Sequence, residues 1–234
     1  VGSEMCIRDS ILPLFGFSLS MGVGVNLFLY LGINASSIMS PLVIAAQLSI
    51  PIAIILSSIF IGESINYKQW ILIITAFFGI VLIGFEPKIA DEIIGFLLIC
   101  GMAFFYGSSQ VFSRYLKDLD VKFTSASMGF IAFIILLIAS IFFEGNAISN
   151  LENLNLQAWL MVLHAGILCS LFGHMLMFYL YKFYPVGQVL PFYALFPVFG
   201  MLLSFFIFGE IPTLIMVIGG IIVISSVFLL QKVR

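Results

Sequence analysis

Charged side chains interrupt an otherwise apolar chain only at wide intervals. Asp, Glu, Lys and Arg leave uncharged runs at 10–62, 69–85, 93–113, 123–143, 153–181, 183–209 and 211–231. A membrane-spanning helix needs ~20 apolar residues, because each residue rises ~1.5 Å against a hydrocarbon layer of ~30 Å. Six of these runs hold one span each, and the first, more than twice that length, is broken by the small polar stretch Gly32-Ile-Asn-Ala-Ser-Ser37 and holds two. The pattern predicts spans near 11–32, 36–61, 67–85, 93–113, 123–143, 156–181, 186–208 and 211–231. The fold class is therefore an all-α integral membrane protein with eight transmembrane helices.

Two of these spans carry the same ordered chemistry. Gln47-Leu-Ser-Ile-Pro51 runs through an apolar stretch to Ile61-Gly62-Glu63, and Tyr193-Ala-Leu-Phe-Pro197 runs to Phe208-Gly209-Glu210. The prolines lie 146 positions apart and the Gly-Glu pairs 147. A proline inside an apolar helix lacks an N–H and crowds the carbonyl four residues earlier, so Pro51 should free the carbonyl of Gln47 and Pro197 that of Tyr193. Broken backbone in a membrane is tolerated where it is buried in protein or lines a wet cavity. Two such kinks at mid-depth, each beside a polar side chain, match the way duplicated carriers build a site. The alternative is a kink that only shapes packing, its carbonyl satisfied by a neighbouring Ser.

Composition agrees with the membrane reading: the chain is 62% hydrophobic and 9% charged, against ~25% charged in soluble domains. A formal net charge of -2 without a basic patch argues against a nucleic-acid partner. With the carboxyl terminus taken as cytoplasmic, the inner segments collect Lys68, Arg114, Lys117, Lys122, Lys182, Lys232 and Arg234, and the outer ones only Lys88. That asymmetry fits the positive-inside rule. It puts both ends of the eight-span chain in the cytoplasm, and the expected location is the plasma or inner membrane. The Gln47 span then ends inside and the Tyr193 span outside, so the repeats are inverted.

Inversion requires an odd repeat, and the Tyr193 span is the seventh while the Gln47 span is the second, so each repeat has five spans. Residues 88–234 hold a complete second repeat and residues 11–87 three spans of the first, which implies a ten-span parent. Residues 1–10, Val-Gly-Ser-Glu-Met-Cys-Ile-Arg-Asp-Ser, are polar and unrelated to either repeat. They are read as adapter-derived rather than native, with a cytoplasmic tail as the alternative.

Two inverted five-span repeats, a proline in each fourth helix, a Gly-Glu at its end and glycine-bearing fifth helices (Phe78-Gly79 to Gly84, and Ile218-Gly219-Gly220) resemble the EamA family of the drug/metabolite transporter superfamily. The stretch Gly32 to Gln47, with Phe172-Gly-His174 and Leu190 to Gly200, is similar to the branch that exports cysteine-pathway metabolites and other amino acids. The resemblance implies a multispan carrier of small polar metabolites working by alternating access. The alternative function is a non-transporting membrane subunit or scaffold.

The candidate substrate-binding residues are Gln47, Tyr193, His174, Asn26, Tyr106 and Gln188, with Pro51 and Pro197 as the helix kinks. His174 falls, at the 147-residue offset, one position past Asn26, where an imidazole could hold a substrate or carry a proton; a neutral His bonded to its own helix is the alternative. His164 lies about 80° round the helix from His174, so the two form no metal pair. Cys6, Cys100 and Cys169 have no metal spacing. No metal, cofactor or enzymatic constellation is expected. The expected partners are a small-molecule substrate and membrane lipid, and a homodimer stays open. The last span should sit at the periphery and pack by close backbone approach at Gly219, Gly220, Ser225 and Ser226.

Overall fold

The computed structural model describes residues 11–62, 64–85, 89, 91–116, 119–144, 154–173, 176 and 196–233. Tyr193, His174, Gln188 and the 1–10 tail lie outside these residues, as does the side chain of Pro197. Every described helix falls on a predicted span. We number them α1 (Ile11–Asn34), α2 (Ser40–Ile61), α3 (Tyr67–Gly84), α4 (Ile93–Tyr115), α5 (Val121–Glu144), α6 (Leu156–Leu163 continued by His164–Gly173), α7 (Phe196–Phe208) and α8 (Leu214–Lys232). Helices α1, α2, α4 and the Val121–Phe143 stretch of α5 are each long and apolar enough to cross a membrane, and the other four are shorter apolar helices. The chain is a multi-pass membrane protein.

Helix α2 starts at Ser40 rather than at the expected 36. Residues 36–39 form a turn instead, for two reasons. Pro41 sits in the first helical turn, where its missing N–H costs no hydrogen bond. The N–H groups before it are taken by carboxylates from elsewhere in the chain. Glu210 accepts from the Met39 N–H (2.7 Å), the Ser40 N–H (2.9 Å) and Ser40 Oγ (2.8 Å). Glu92 accepts from the Ser37 N–H (3.1 Å), the Ile38 N–H (3.2 Å) and the hydroxyls of Ser36 and Ser37. Burial pushes the Glu92 carboxyl up, but these hydrogen bonds outweigh it and hold the group below its ordinary value. Its contribution to holding the turn is therefore full at neutral pH and is lost only as pH falls through that lowered value.

Helix ends repeat at the same offset as the sequence. Gly62 and Gly209 both leave their helices in the left-handed region, at φ +80° and +67°, where a residue without Cβ is favoured. Asn66 caps α3 by accepting from the Gln69 N–H (2.9 Å), and Thr213, 147 positions on, caps α8 by accepting from the Met216 N–H (3.4 Å).

Helices α3 and α8 pack against each other along most of their length. The buried stripe of α3 is Ile73, Ala76, Ile80 and Ile83, and that of α8 is Gly220, Val223, Val227 and Leu230, each 147 positions from its counterpart. The spacing i, i+3, i+7, i+10 puts each set on one helix face. At the crossing the backbones nearly touch: a Cβ on Gly219 would lie 2.9 Å from the Gly79 carbonyl oxygen, and one on Gly79 3.0 Å from that of Gly219. Gly79 meets Val223 while Gly219 meets Ile83, so the helices run antiparallel. The expected close approach is present at Gly219; Ser226 is buried with it and Ser225 is exposed. The opposite face of α8, including Ile218 and Ile221, is exposed, as expected for a peripheral span.

Helix α4 is the central strut. It packs on both α1 and α2, and its glycines make this possible. A Cβ on Gly95 would lie 2.9 Å from the Gly32 carbonyl oxygen, and one on Gly107 2.9 Å from that of Ser49. Backbone-to-backbone contact of this kind is how membrane helices associate where no hydrophobic drive separates them from lipid.

Candidate functional site

Gln47 lies where α2 changes its winding. Residues Ala46–Leu48 form a single 3₁₀ turn, in which the Ser49 N–H donates to the Ala46 carbonyl, before Ser49–Ile61 resumes α geometry. This is the local answer to Pro51. Having no N–H at position 51, the chain tightens by one residue upstream instead of leaving a wide gap. Pro51 itself is fully buried, and helix α4 packs against the turn.

The Gln47 side chain is 8% exposed, and among the described residues no hydrogen bond reaches it. A primary amide has two donors and an acceptor. Burying it unpaired costs about 1–3 kcal/mol, so each such group calls for an explanation. Apolar neighbours surround the turn: Ala45 and Leu48 are buried, and Ile50 and Ile52 pack against the same core.

The other expected residues divide. Tyr106, on α4, is half-buried, packs against the core and has a polar or ring partner. Tyr106 and Gln47 are thus on elements that touch, α4 and the 3₁₀ turn. Asn26 turns back on its own helix: its amide nitrogen donates to the Gly22 carbonyl (2.8 Å) and lies 3.3 Å from that of Met21. Tyr30 and Gln110, also polar residues of these spans, are exposed.

The bonding of Asn26 has a cause that the sequence reading missed. Residues Ser18–Gly24 of α1 form a π-helical stretch, with the Val25 N–H reaching back to the Ser20 carbonyl. Widening the turn leaves carbonyls at its end without their usual donors, and Asn26 supplies one. Stretches of this kind are frequent at functional sites. A second π stretch, His164–Gly173 in α6, covers the positions that the 147-residue offset assigns to Ser18–Gly24. The signal was available: Ser18, Ser20, Gly22 and Gly24 alternate along the chain and all four are buried. Small residues at period two in an apolar span mark a helix squeezed from two sides. Gly24 faces Phe105 of α4, and Gly22 faces Ala132 and Met128 of α5.

Helix α7 completes this region from the other end of the chain. It packs on the amino-terminal third of α2, where a Cβ on Gly200 would lie 2.5 Å from Val43 Cγ1. Glu210, at the carboxyl end of α7, meets Met39 and Ser40 at the amino end of α2, so the two spans that carry Pro51 and Pro197 lie antiparallel.

Comparison with known proteins agrees with this architecture. Residues 93–231 match the EamA-like transporter family. Over 180 residues the chain is 24% identical to an uncharacterized transporter, YdfC, of Bacillus subtilis (strain 168), an alignment covering 74% of this chain and 56% of that protein. The chain thus spans just over half the length of that curated relative. With the family matched over more than half of its residues, across helices α4 to α8 and their connections, the chain belongs to the EamA-like transporter family.

Proposed function

We propose that the full-length protein carries small polar metabolites, amino acids or related compounds, across the plasma or inner membrane, exporting them by alternating access with the carboxyl terminus in the cytoplasm. The reading uses two inverted five-span repeats, residues 11–87 as part of the first and 88–234 as the second. The observation that carries it is Gln47: a buried amide with no hydrogen-bonding partner among the described residues, on a proline-adjusted turn between packed spans, is a hydrogen-bonding site suited to a polar substrate. Two placements support the inverted pairing. Val43 contacts Gly200, whose counterpart at the repeat offset is Ala53; Val43 and Ala53 lie equally far from Leu48, as an inverted pairing about an axis near Gln47 would require. In the other pair, Ala76 and Val223 are counterparts and both are fully buried where α3 and α8 cross. Substrate sites of inverted-repeat carriers lie at such an axis near the membrane midplane. Tyr193 supplies the equivalent side chain on the Pro197 span, and Tyr106, His174 and Gln188 are assigned to the surrounding wall, with Asn26 offering its side-chain oxygen alone because its amide nitrogen bonds its own helix.

The test is counterflow of a panel of labelled amino acids in proteoliposomes holding the full-length protein, wild type or with Gln47→Leu, Tyr193→Phe or both, at matched protein density. Loss of either polar partner should raise half-saturation tenfold to a hundredfold, the equivalent of ~1–3 kcal/mol, while Ile52→Val changes it much less. Wild-type half-saturation and maximal rate in both single variants would place the site elsewhere.

A further inference from the structure

The Gly-Glu pair that follows α7 is not used by the substrate site, yet its carboxylate makes the most distant hydrogen bonds in the described chain. Gly209 turns left-handed immediately after α7, its N–H donating to the Phe205 carbonyl (3.0 Å). That turn takes Glu210 off the helix and across to α2. The result is a row of four backbone N–H groups, Ser37, Ile38, Met39 and Ser40, held by two carboxylates: Glu92 takes the first pair and Glu210 the second. The N–H groups at a helix start have no intrahelical acceptor, and negative charge there is favoured by the helix dipole.

The two carboxylates belong to parts of the bundle that are coupled very differently. Glu92 begins α4, which is joined to α1 and α2 by backbone contacts at Gly95, Gly32 and Gly107, so α1, α2 and α4 form one block. Glu210 belongs to α7, which among the described helices packs chiefly on the amino-terminal third of α2. Among the described residues its ties to the block are the packing of Gly200 and Met201 on that part of α2 and the core, including the Val43–Gly200 contact, and the three bonds of Glu210. Gln47 lies two turns deeper than the Glu210 bonds at Ser40, ~10 Å along the axis, and one turn deeper than Val43.

We infer that Glu210 is a latch: its carboxylate closes this face of the bundle by fastening α7 to the amino end of α2, and alternating access opens this face by breaking those bonds while Glu92 keeps the turn attached to α4. The inference rests on the transport reading above. In the latched state the Val43–Gly200 contact stands one helical turn from Gln47, across the route that the inference assigns to substrate. In the released state α7 moves off the block and that route is open to water.

The experiment uses the purified full-length protein in detergent, its native cysteines replaced by serine, with Val43→Cys as reporter and Tyr115→Cys, at the far end of α4, as control. The readout is the rate of maleimide labelling. Glu210→Gln, which keeps the shape and removes the charge, should speed labelling at Val43→Cys at least tenfold and leave Tyr115→Cys unchanged. Glu92→Gln should change the Val43→Cys rate less than threefold. An unchanged rate in Glu210→Gln overturns the latch, as does an equal rise at both reporters, which would mean general loosening. A larger effect from Glu92→Gln than from Glu210→Gln overturns the assignment of the moving tie. Should Glu210→Gln fail to fold, Ser40→Ala, which removes one of the three bonds, should give roughly a threefold rise, and no rise overturns the latch. The transport reading fails separately: if labelling responds as expected while the counterflow panel shows no flux, the latch stands and the carrier function does not.

Discussion

Gly219→Val should be among the most damaging single changes in the chain, lowering the folded population in detergent and the abundance in the membrane. A Cβ at this position would come within 2.5 Å of Ile83 Cγ1 and 2.9 Å of the Gly79 carbonyl oxygen. The side chain of Ile83 could rotate, but the carbonyl belongs to the backbone of α3 and has nowhere to go. Overpacking of this kind costs about 1–3 kcal/mol and occasionally more. Because the obstacle is backbone, we place Gly219→Val at the upper end, ~3 kcal/mol. Gly79→Val should behave similarly, since its Cβ would meet the Gly219 carbonyl oxygen at 3.0 Å. The control is Gly129→Ala in α5, where an added Cβ meets nothing within 4 Å. There the gain in helix propensity, ~0.5–1 kcal/mol, is the only term, and the change should be neutral or stabilising. Thermal unfolding of the purified variants, followed by circular dichroism, reads both signs. Equal stability of Gly219→Val and wild type would mean that α3 and α8 do not pack as described.

Gln47→Met should stabilise the protein while impairing it. The amide is buried and without a described hydrogen bond, so an apolar chain of similar length removes a penalty of ~1–3 kcal/mol and leaves no cavity. A rise in stability of ~1 kcal/mol, together with a tenfold or greater rise in half-saturation for transport, is the signature of a group kept for binding at the expense of stability. Most core substitutions lower both quantities, so the opposed signs are diagnostic. If Gln47→Met loses stability, the amide has a structural partner and is no longer the observation on which the carrier reading rests.

How much of this was legible beforehand varies by element. Span positions were, because the membrane imposes a length and excludes charge, so gaps between ionisable residues report helices directly. Every described helix lies on a predicted span. The 147-residue repeat was legible from Gly62-Glu63 and Gly209-Glu210, and the helix ends and buried stripes recur at that spacing in space as well. Local winding was less so. Pro51 announced a disturbance near Gln47, but whether the chain would open or tighten there depended on α4 pressing against the turn, and the outcome is a 3₁₀ turn.

Charge gaps, periodicity and the repeat were written in the order of residues, since each follows from one chain meeting lipid. Which residues touch was not. Asn26 reads as a polar residue open to a ligand, and only the π stretch at Ser18–Gly24 shows that its amide is engaged by its own helix. Glu210 reads as the end of a span; only the approach of α7 to α2 turns it into the cap of a helix that begins 170 residues earlier. Such a pairing leaves no local trace, because a carboxylate after glycine looks the same whether it meets water or four backbone amides shared with Glu92. Tertiary packing chose the acceptor, and with it decided where α2 starts and what fastens it there.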